Sequence, residues 1–213
     1  MFMKTLKDSL ERAMKNNEKD ASVTLVSKAL EEGLSPIDFY LNTITPIMHA
    51  IDCDSNDYDC IWHEHQMTSI ARTLIEMCYP HILKEKTHSH GKHALVVCPR
   101  EEYHELGAII GTHMLGYYGF KTTYVGANTP LETVISALKT LTTDYLVISV
   151  SNPYHLFEVN KMIREINKTY PDVKIIGAGR GFETHGSALR EKVDTVITDH
   201  ESIKALLEKE GLE

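Results

Sequence analysis

The stretch "CPREEYHELGAIIG", Cys98–Gly111, sets one histidine, His104, among three glutamates. It joins an apolar run, "HALVVC" (93–98), to the helix-like pattern "YHELGAIIGTHMLGYYG" (103–119). A continuous β-rich run that passes straight into a helical pattern reads as a strand covered on both faces, followed by its crossover helix. The same alternation recurs down the chain. "KTTYVG" (121–126), "DYLVISV" (144–150), "VKIIGAG" (173–179) and "VDTVIT" (193–198) read as strands, separated by the helical patterns "PLETVISALKTL" (130–141), "PYHLFEVNKMIREINKTY" (153–170) and "HGSALREK" (185–192). Five strands alternating with helices predict an open, mostly parallel, doubly wound sheet, a Rossmann-like or flavodoxin-like α/β domain. Ligands of such sheets sit beyond the carboxyl ends of the strands, and His104 lies at one.

Upstream, the periodicity changes. Leu6, Leu10 and Met14, then Val23, Val26 and Leu30, then Phe39, Leu41 and Ile44, then Ile70, Leu74 and Met77 recur at three and four, which predicts a four-helix bundle. Its breaks are "KNNEKDAS", then Gly33 as a stop with Ser35 capping a helix that opens on Pro36, then the polar "DCDSNDYDC" (52–60). Pro80 marks the end of the fourth helix, and "KTHSHGKH" (86–93) reads as a polar linker. The expected domains are therefore a helical cap, residues 1–86, and an α/β domain, residues 87–213.

Composition narrows the function classes. Thirty acidic against 22 basic residues give a net charge of -8, which argues against direct nucleic-acid or anionic-membrane binding. No window approaches the roughly 18 apolar residues of a membrane span, and the first residues lack a signal-peptide core, so the expected location is cytoplasmic. Cys53, Cys60, Cys78 and Cys98 form no C-x-x-C pair, and free thiols are expected.

Spacing gives His104 its meaning. Glu102 stands two before it and Gly107 three after; Ser149-Val150-Ser151 closes the third strand and Gly177-Ala178-Gly179 the fourth. These elements converge on one rim of the sheet. The pattern resembles the cobalamin-binding domain family, over about the last 120 residues, and many members carry a four-helix cap before that domain. The resemblance implies that His104 replaces the cofactor's own base as lower cobalt ligand, with the nucleotide tail dropped into a slot beside the sheet. Glu102 would fix the histidine's tautomer and raise its basicity. Gly107 would clear a path for the tail, Ser149 and Ser151 would offer it hydroxyls, and Gly177 and Gly179 would leave room for its base. Ser151 stands where the family often has leucine, and Ala178 interrupts the glycine pair.

Two kinds of cobalamin protein fit. Methyl-carrier corrinoid proteins usually show Asp-x-His-x-x-Gly followed by lysine; here the acid is Glu102 and Ala108 follows the glycine. The stretch looks more like the light-sensing half of MerR-type cobalamin photoreceptors, which cover adenosylcobalamin with a bundle bearing a tryptophan, nine residues, then Glu-His. Glu64-His65 matches that pair, but Asp54 occupies the tryptophan's place. Trp62, with His63 and His65, is the substitute from a shifted position, since one helical turn spans only about 5 Å; a packed bundle tryptophan is the plainer alternative. The DNA-binding half is absent from this sequence.

Other motifs explain less. "DCDSNDYDCIWHE" misplaces the glycine and glutamate of a calcium loop, and Cys53 and Cys60 are too far apart for a structural zinc pair. His88, His90 and His93 could gather a metal or simply belong to the linker, "GAGRGF" (177–182) lacks dinucleotide-loop spacing, and His155 could join His104's relay or cap a helix. The expectation is a cobalamin-binding sensor or regulatory protein, not itself an enzyme, holding adenosylcobalamin, methylcobalamin or hydroxocobalamin. It would signal through a regulator, kinase or methyltransferase partner, or through a homo-oligomer. The alternatives are a corrinoid methyl carrier and a heme or other tetrapyrrole sensor.

Overall fold

The computed structural model describes residues 2–54, 56–189 and 191–212. The chain divides into two compact units, Met1–Glu85 and Lys86–Glu213.

The first unit is helical. Helices α1 (Phe2–Lys15) and α2 (Lys19–Glu31) bury Leu6, Leu10, Met14, Val26 and Leu30, the residues spaced at three and four. Gly33, at φ +95°, ends α2 in a left-handed turn, and Ser35 accepts a hydrogen bond from the Ile37 N–H beside Pro36. The third helix is not uniform: α3 (Pro36–Phe39) widens into a π-turn, Tyr40–Ile44, and continues as α4 (Thr45–His49). Pro46 has no N–H to give the preceding turn, which explains a wide turn at this place. That turn buries Tyr40, whose hydroxyl donates to the Ile75 carbonyl at 3.1 Å.

Helix α5 (Tyr58–Glu85) runs through Pro80 rather than ending there. Its start accounts for two of the acidic residues: Asp57 accepts from the Cys60 N–H and caps the helix, while Asp54 accepts from the Asn56 N–H and closes a turn in the loop before it. No group of three or more histidine, cysteine or acidic side chains able to hold a metal occurs among the described residues. The free-thiol expectation fails for one pair, because Cys53 and Cys60 form a disulfide. The loop folds back on the first turn of α5 and brings their Cα atoms to 5.6 Å, well within bridging range. Cys78 and Cys98 are free and buried.

The second unit opens with the supposed linker, which is instead stitched to the sheet. The Thr87 N–H donates to the Tyr117 carbonyl, His90 packs edge-on against Phe120 at 4.3 Å, and Lys92 pairs with Asp144 at 2.8 Å. His93 is buried, its ring held between the Thr142 carbonyl and the Thr123 hydroxyl. Then follow β1 (His93–Pro99), α6 (Leu106–Tyr117), β2 (Lys121–Thr129), α7 (Leu131–Thr140), β3 (Tyr145–Ser149), a 3-10 turn (Pro153–His155) leading into α8 (Leu156–Thr169), β4 (Lys174–Ala178), α9 (Arg180–His185), β5 (Thr195–Ile197) and α10 (His200–Glu210). The helix expected over 185–192 comes earlier, as α9 with a 3-10 turn at Gly186–Ala188, because Gly179 at φ +88° breaks the strand and lets Arg180 start a helix at once.

The five strands are all parallel, in the order β2-β1-β3-β4-β5. β1 and β3 are buried along their whole length, as their unbroken apolar runs require. Leu95, Val97, Leu146, Ile148 and Ile175 from the sheet join Val134, Leu138, Val159, Ile163 and Ile166 from α7 and α8 in one core. Each such side chain contributes about 1.5–3 kcal/mol on burial. The strand order reverses between β1 and β3, the switch point at which open α/β sheets form their ligand crevice. No described helix is long and apolar enough to cross a membrane.

Candidate functional site

Two loops meet at that crevice. The first leaves β1 by a turn closed by the Glu102 N–H on the Pro99 carbonyl, with Glu101 at φ +66°; a non-glycine residue there costs roughly 1–2 kcal/mol. The second leaves β3 through Val150, Ser151 and Asn152 into the 3-10 turn.

The Glu102 carboxylate joins them. It is fully buried, and its two oxygens are divided between the loops. Oε1 accepts from the His104 N–H at 3.0 Å and lies 2.6 Å from His104 Nδ1. Oε2 accepts from the Ser151 N–H at 2.8 Å and the Asn152 N–H at 3.0 Å, and lies 3.1 Å from His155 Nδ1. Burial by itself pushes this carboxyl upward; the hydrogen bonds from His104, Asn152 and Ser151 outweigh it and hold the group down at about 2. Glu102 is therefore an anion at any pH where the protein works. A carboxylate facing Nδ1 puts the imidazole proton there and the lone pair on Nε2. The His104 side chain is 60% exposed, so a ligand can reach it.

The other expected residues divide. Gly107 and Gly111, one turn apart on α6, would carry a Cβ into open space, with nothing within 4 Å. Gly177 and Gly179 serve the protein's own packing: a Cβ on Gly177 would stand 2.4 Å from the Phe182 ring, and one on Gly179 would stand 2.6 Å from the Val150 carbonyl oxygen. Phe182 and the Val150 backbone thus stand on the Cβ side of these two glycines. Ser149 is buried, and the Cys98 thiol, which lies 3.8 Å from the Tyr124 hydroxyl, is pushed up to about 12 by burial. Ser151 reaches the site through its backbone N–H. His155 joins His104 on one carboxylate and so takes the relay position. Asn152 was not foreseen, although Asn-Pro marks a turn start; its side chain caps the 3-10 turn by accepting from the Tyr154 N–H.

In the helical unit the expected residues Trp62, Glu64 and His65 lie in the first turns of α5. Trp62 is 60% exposed, against the expectation of a packed bundle residue, because its position on α5 faces away from the stripe of Met67, Ile70, Leu74 and Cys78. His65 is exposed and Glu64 half-buried. His63 Nδ1 lies 2.6 Å from the Asp59 carbonyl one turn back.

A parallel sheet with a histidine and a buried carboxylate beyond β1 defines a class of corrin-binding domains. The B12 binding domain matches residues 92–207, and the chain belongs to that family. Cobalamin is accordingly its cofactor, and the residues fit it: an accessible imidazole held by a buried anion, beside glycines whose Cβ side is open. No curated protein sequence matches the chain. Among solved structures, the monomethylamine corrinoid protein of Methanosarcina barkeri superposes with a TM-score of 0.76 at 19% identity, covering 97% of this chain and 99% of that one. A cobalamin-binding protein from Desulfitobacterium hafniense DCB-2 gives 0.48 at 14% identity over 96% and 97% of the two chains. The methanol:cobalamin methyltransferase complex MtaBC of Methanosarcina barkeri gives 0.45 at 19% identity over 95% and 78%. The likeness of fold rests on the first of these.

Proposed function

We propose that this protein is a cobalamin-binding regulatory protein that takes its cofactor base-off, with His104 as the lower cobalt ligand. One observation carries the reading: the buried Glu102 carboxylate grips His104 Nδ1 with one oxygen and the 151–155 loop with the other. That grip orients the ring, holds its proton on Nδ1 and raises the basicity of Nε2. When bound, cobalamin supplies a cobalt centre whose upper ligand can be exchanged or, as adenosylcobalamin, released by light. Gly107 and Gly111 support a path for the nucleotide tail along α6, since no side chain stands in it. The chain's own part in this reading is ligation and orientation.

The regulatory role rests on sequence. Glu64-His65 in α5 and Ala108 in place of the carriers' lysine favour the cobalamin photoreceptors over the methyl carriers. A change of upper ligand would be the input, and a protein partner, a regulator or kinase, or self-association the output, in the cytoplasm. A second reading, a corrinoid methyl carrier for a methyltransferase, is favoured by the likeness of fold to the monomethylamine corrinoid protein along both units.

The test is spectroscopic. Wild type and His104→Ala are mixed in turn with adenosyl-, methyl- and hydroxocobalamin and with heme, and absorption and oligomeric state are recorded before and after green light. We expect cobalamin to co-elute with wild type and the substitution to alter its spectrum. A wild-type spectrum unchanged by His104→Ala removes the ligand assignment. Bound adenosylcobalamin that responds to light in neither spectrum nor assembly removes the light-sensing role, and methyl transfer with a partner methyltransferase then decides for the carrier. Binding of heme alone overturns both readings.

A further inference from the structure

The end of β2 carries a residue that joins the site through the backbone of the turn before His104. Pairing of β1 with β2 slips twice, between Val96 and Val97 and between Val97 and Pro99, so that Pro99 comes opposite Thr129. These bulges bring Asn128 beside the turn that leaves β1. There its Oδ1 accepts from the Glu101 N–H at 2.9 Å, while its own N–H donates to the Glu102 carbonyl at 2.9 Å. The two bonds form a clamp on consecutive residues, gripping the peptide groups on either side of the 101–102 peptide.

Both sides of the clamp are strained. Among the described residues the non-glycine positions with positive φ are Asn17, Glu101 and Asn128; the last two, at +66° and +51°, hydrogen-bond to each other. Left-handed conformations persist where the surroundings over-determine them, and they gather at functional sites. Here the strain has a use. The Glu102 N–H is held by Pro99 and its carbonyl by Asn128, so the residue is fixed on both sides of its Cα. The side chain then leaves in one direction, toward His104 and the loop after β3.

We infer that Asn128 is a positioning residue that sets the orientation of His104 by fixing Glu102; this rests on the reading of His104 as the cobalt ligand. Asparagine suits the place because it tolerates left-handed backbone and offers a short side-chain acceptor. Aspartate keeps both properties. Glycine keeps the backbone and its N–H but loses Oδ1, and so separates the clamp from the strain.

The experiment uses the full chain, first without cofactor. Side-chain ¹⁵N NMR of His104 reads its tautomer, thermal melting reads the fold, and titration with hydroxocobalamin reads ligation. We expect a single Nδ1–H tautomer in wild type. In Asn128→Gly we expect mixed tautomers and about tenfold weaker ligation at a near wild-type melting temperature, as for partners that orient a metal-binding histidine elsewhere. Asn128→Asp should restore both. A wild-type tautomer in Asn128→Gly overturns the inference, as does failure of Asn128→Asp to restore it, or tautomer loss that only tracks a fall in melting temperature. His104→Ala keeps the two ideas apart: if it leaves the bound spectrum unchanged, His104 is not the cobalt ligand, yet the NMR arm still decides whether Asn128 sets the ring.

Discussion

The two units treat their candidate residues in opposite ways. In the α/β unit, residues far apart in sequence arrive at one carboxylate: Glu102 meets Ser151, Asn152 and His155 across separations of 49, 50 and 53 residues. In the helical unit, Trp62, Glu64 and His65 lie close together in sequence, and Trp62 and His65 stay exposed on α5. The contrast follows from geometry. A parallel sheet sends every strand's carboxyl end to one rim, so loops from separate βα units must meet there. A helix has no such rim: Trp62 and His65, three positions apart, share a face of α5, and that face is exposed rather than gathered around a buried group.

The largest test of that contrast is Glu102→Ala. Removing the anion strands several buried donors at once, and breaking a buried charged network typically costs about 3–5 kcal/mol. The melting transition of the α/β unit should fall while helical signal from the first unit persists; an unshifted transition would break the comparison. The pH dependence has a definite sign. Because the carboxyl is depressed in the fold, its contribution is complete above the ordinary carboxylate range and fades as pH falls toward about 2. Acid unfolding of wild type should therefore be steep in that window and flatter in Glu102→Gln.

Next in size is Cys53→Ser, which opens the small loop before α5 and should cost about 2 kcal/mol, at the low end for disulfides. Melting with and without a dithiol reductant checks it, and the reductant should bring wild type down to the variant. Tyr40→Phe removes one buried hydrogen bond to Ile75 and should cost about 1 kcal/mol in chemical denaturation. The smallest effect on stability sharpens the comparison most. Gly107→Ala meets open space inside a helix and should leave the fold unchanged or firmer by roughly 0.5–1 kcal/mol, yet weaken cobalamin in an equilibrium titration. Gly177→Ala should do the reverse damage, lowering the melting temperature through its clash with Phe182.

Much of the architecture was legible because it is periodic. The unbroken runs 93–98 and 144–150 gave the two central strands, and spacing at three and four gave Leu10, Met14, Val26 and Leu74 as bundle core. Local chemistry failed where tertiary contacts outweighed it. Pro80 looks like a helix end but is tolerated inside a helix anchored by Leu74, Cys78 and Ile82. His90 and His93 look like linker polarity, yet one packs on Phe120 and the other caps a buried strand; burial holds His90 below its ordinary value. The bridge from Cys53 to Cys60 depends on a loop doubling back, which no spacing rule encodes.

By itself the sequence determined the five strands alternating with helices, the helical cap before them and the Glu-x-His-x-x-Gly pattern at the end of the first strand, since each is written in residues a few positions apart. Only the tertiary structure decided which groups share the Glu102 carboxylate, that Phe182 and the β3 loop fill the space beside Gly177 and Gly179, and that Asn128 clamps the turn before His104. Those outcomes depend on strand order and register, which put β1 between β2 and β3. Hydrophobic period fixes what a segment becomes, and the partners of its polar atoms are fixed by the neighbours the sheet gives it.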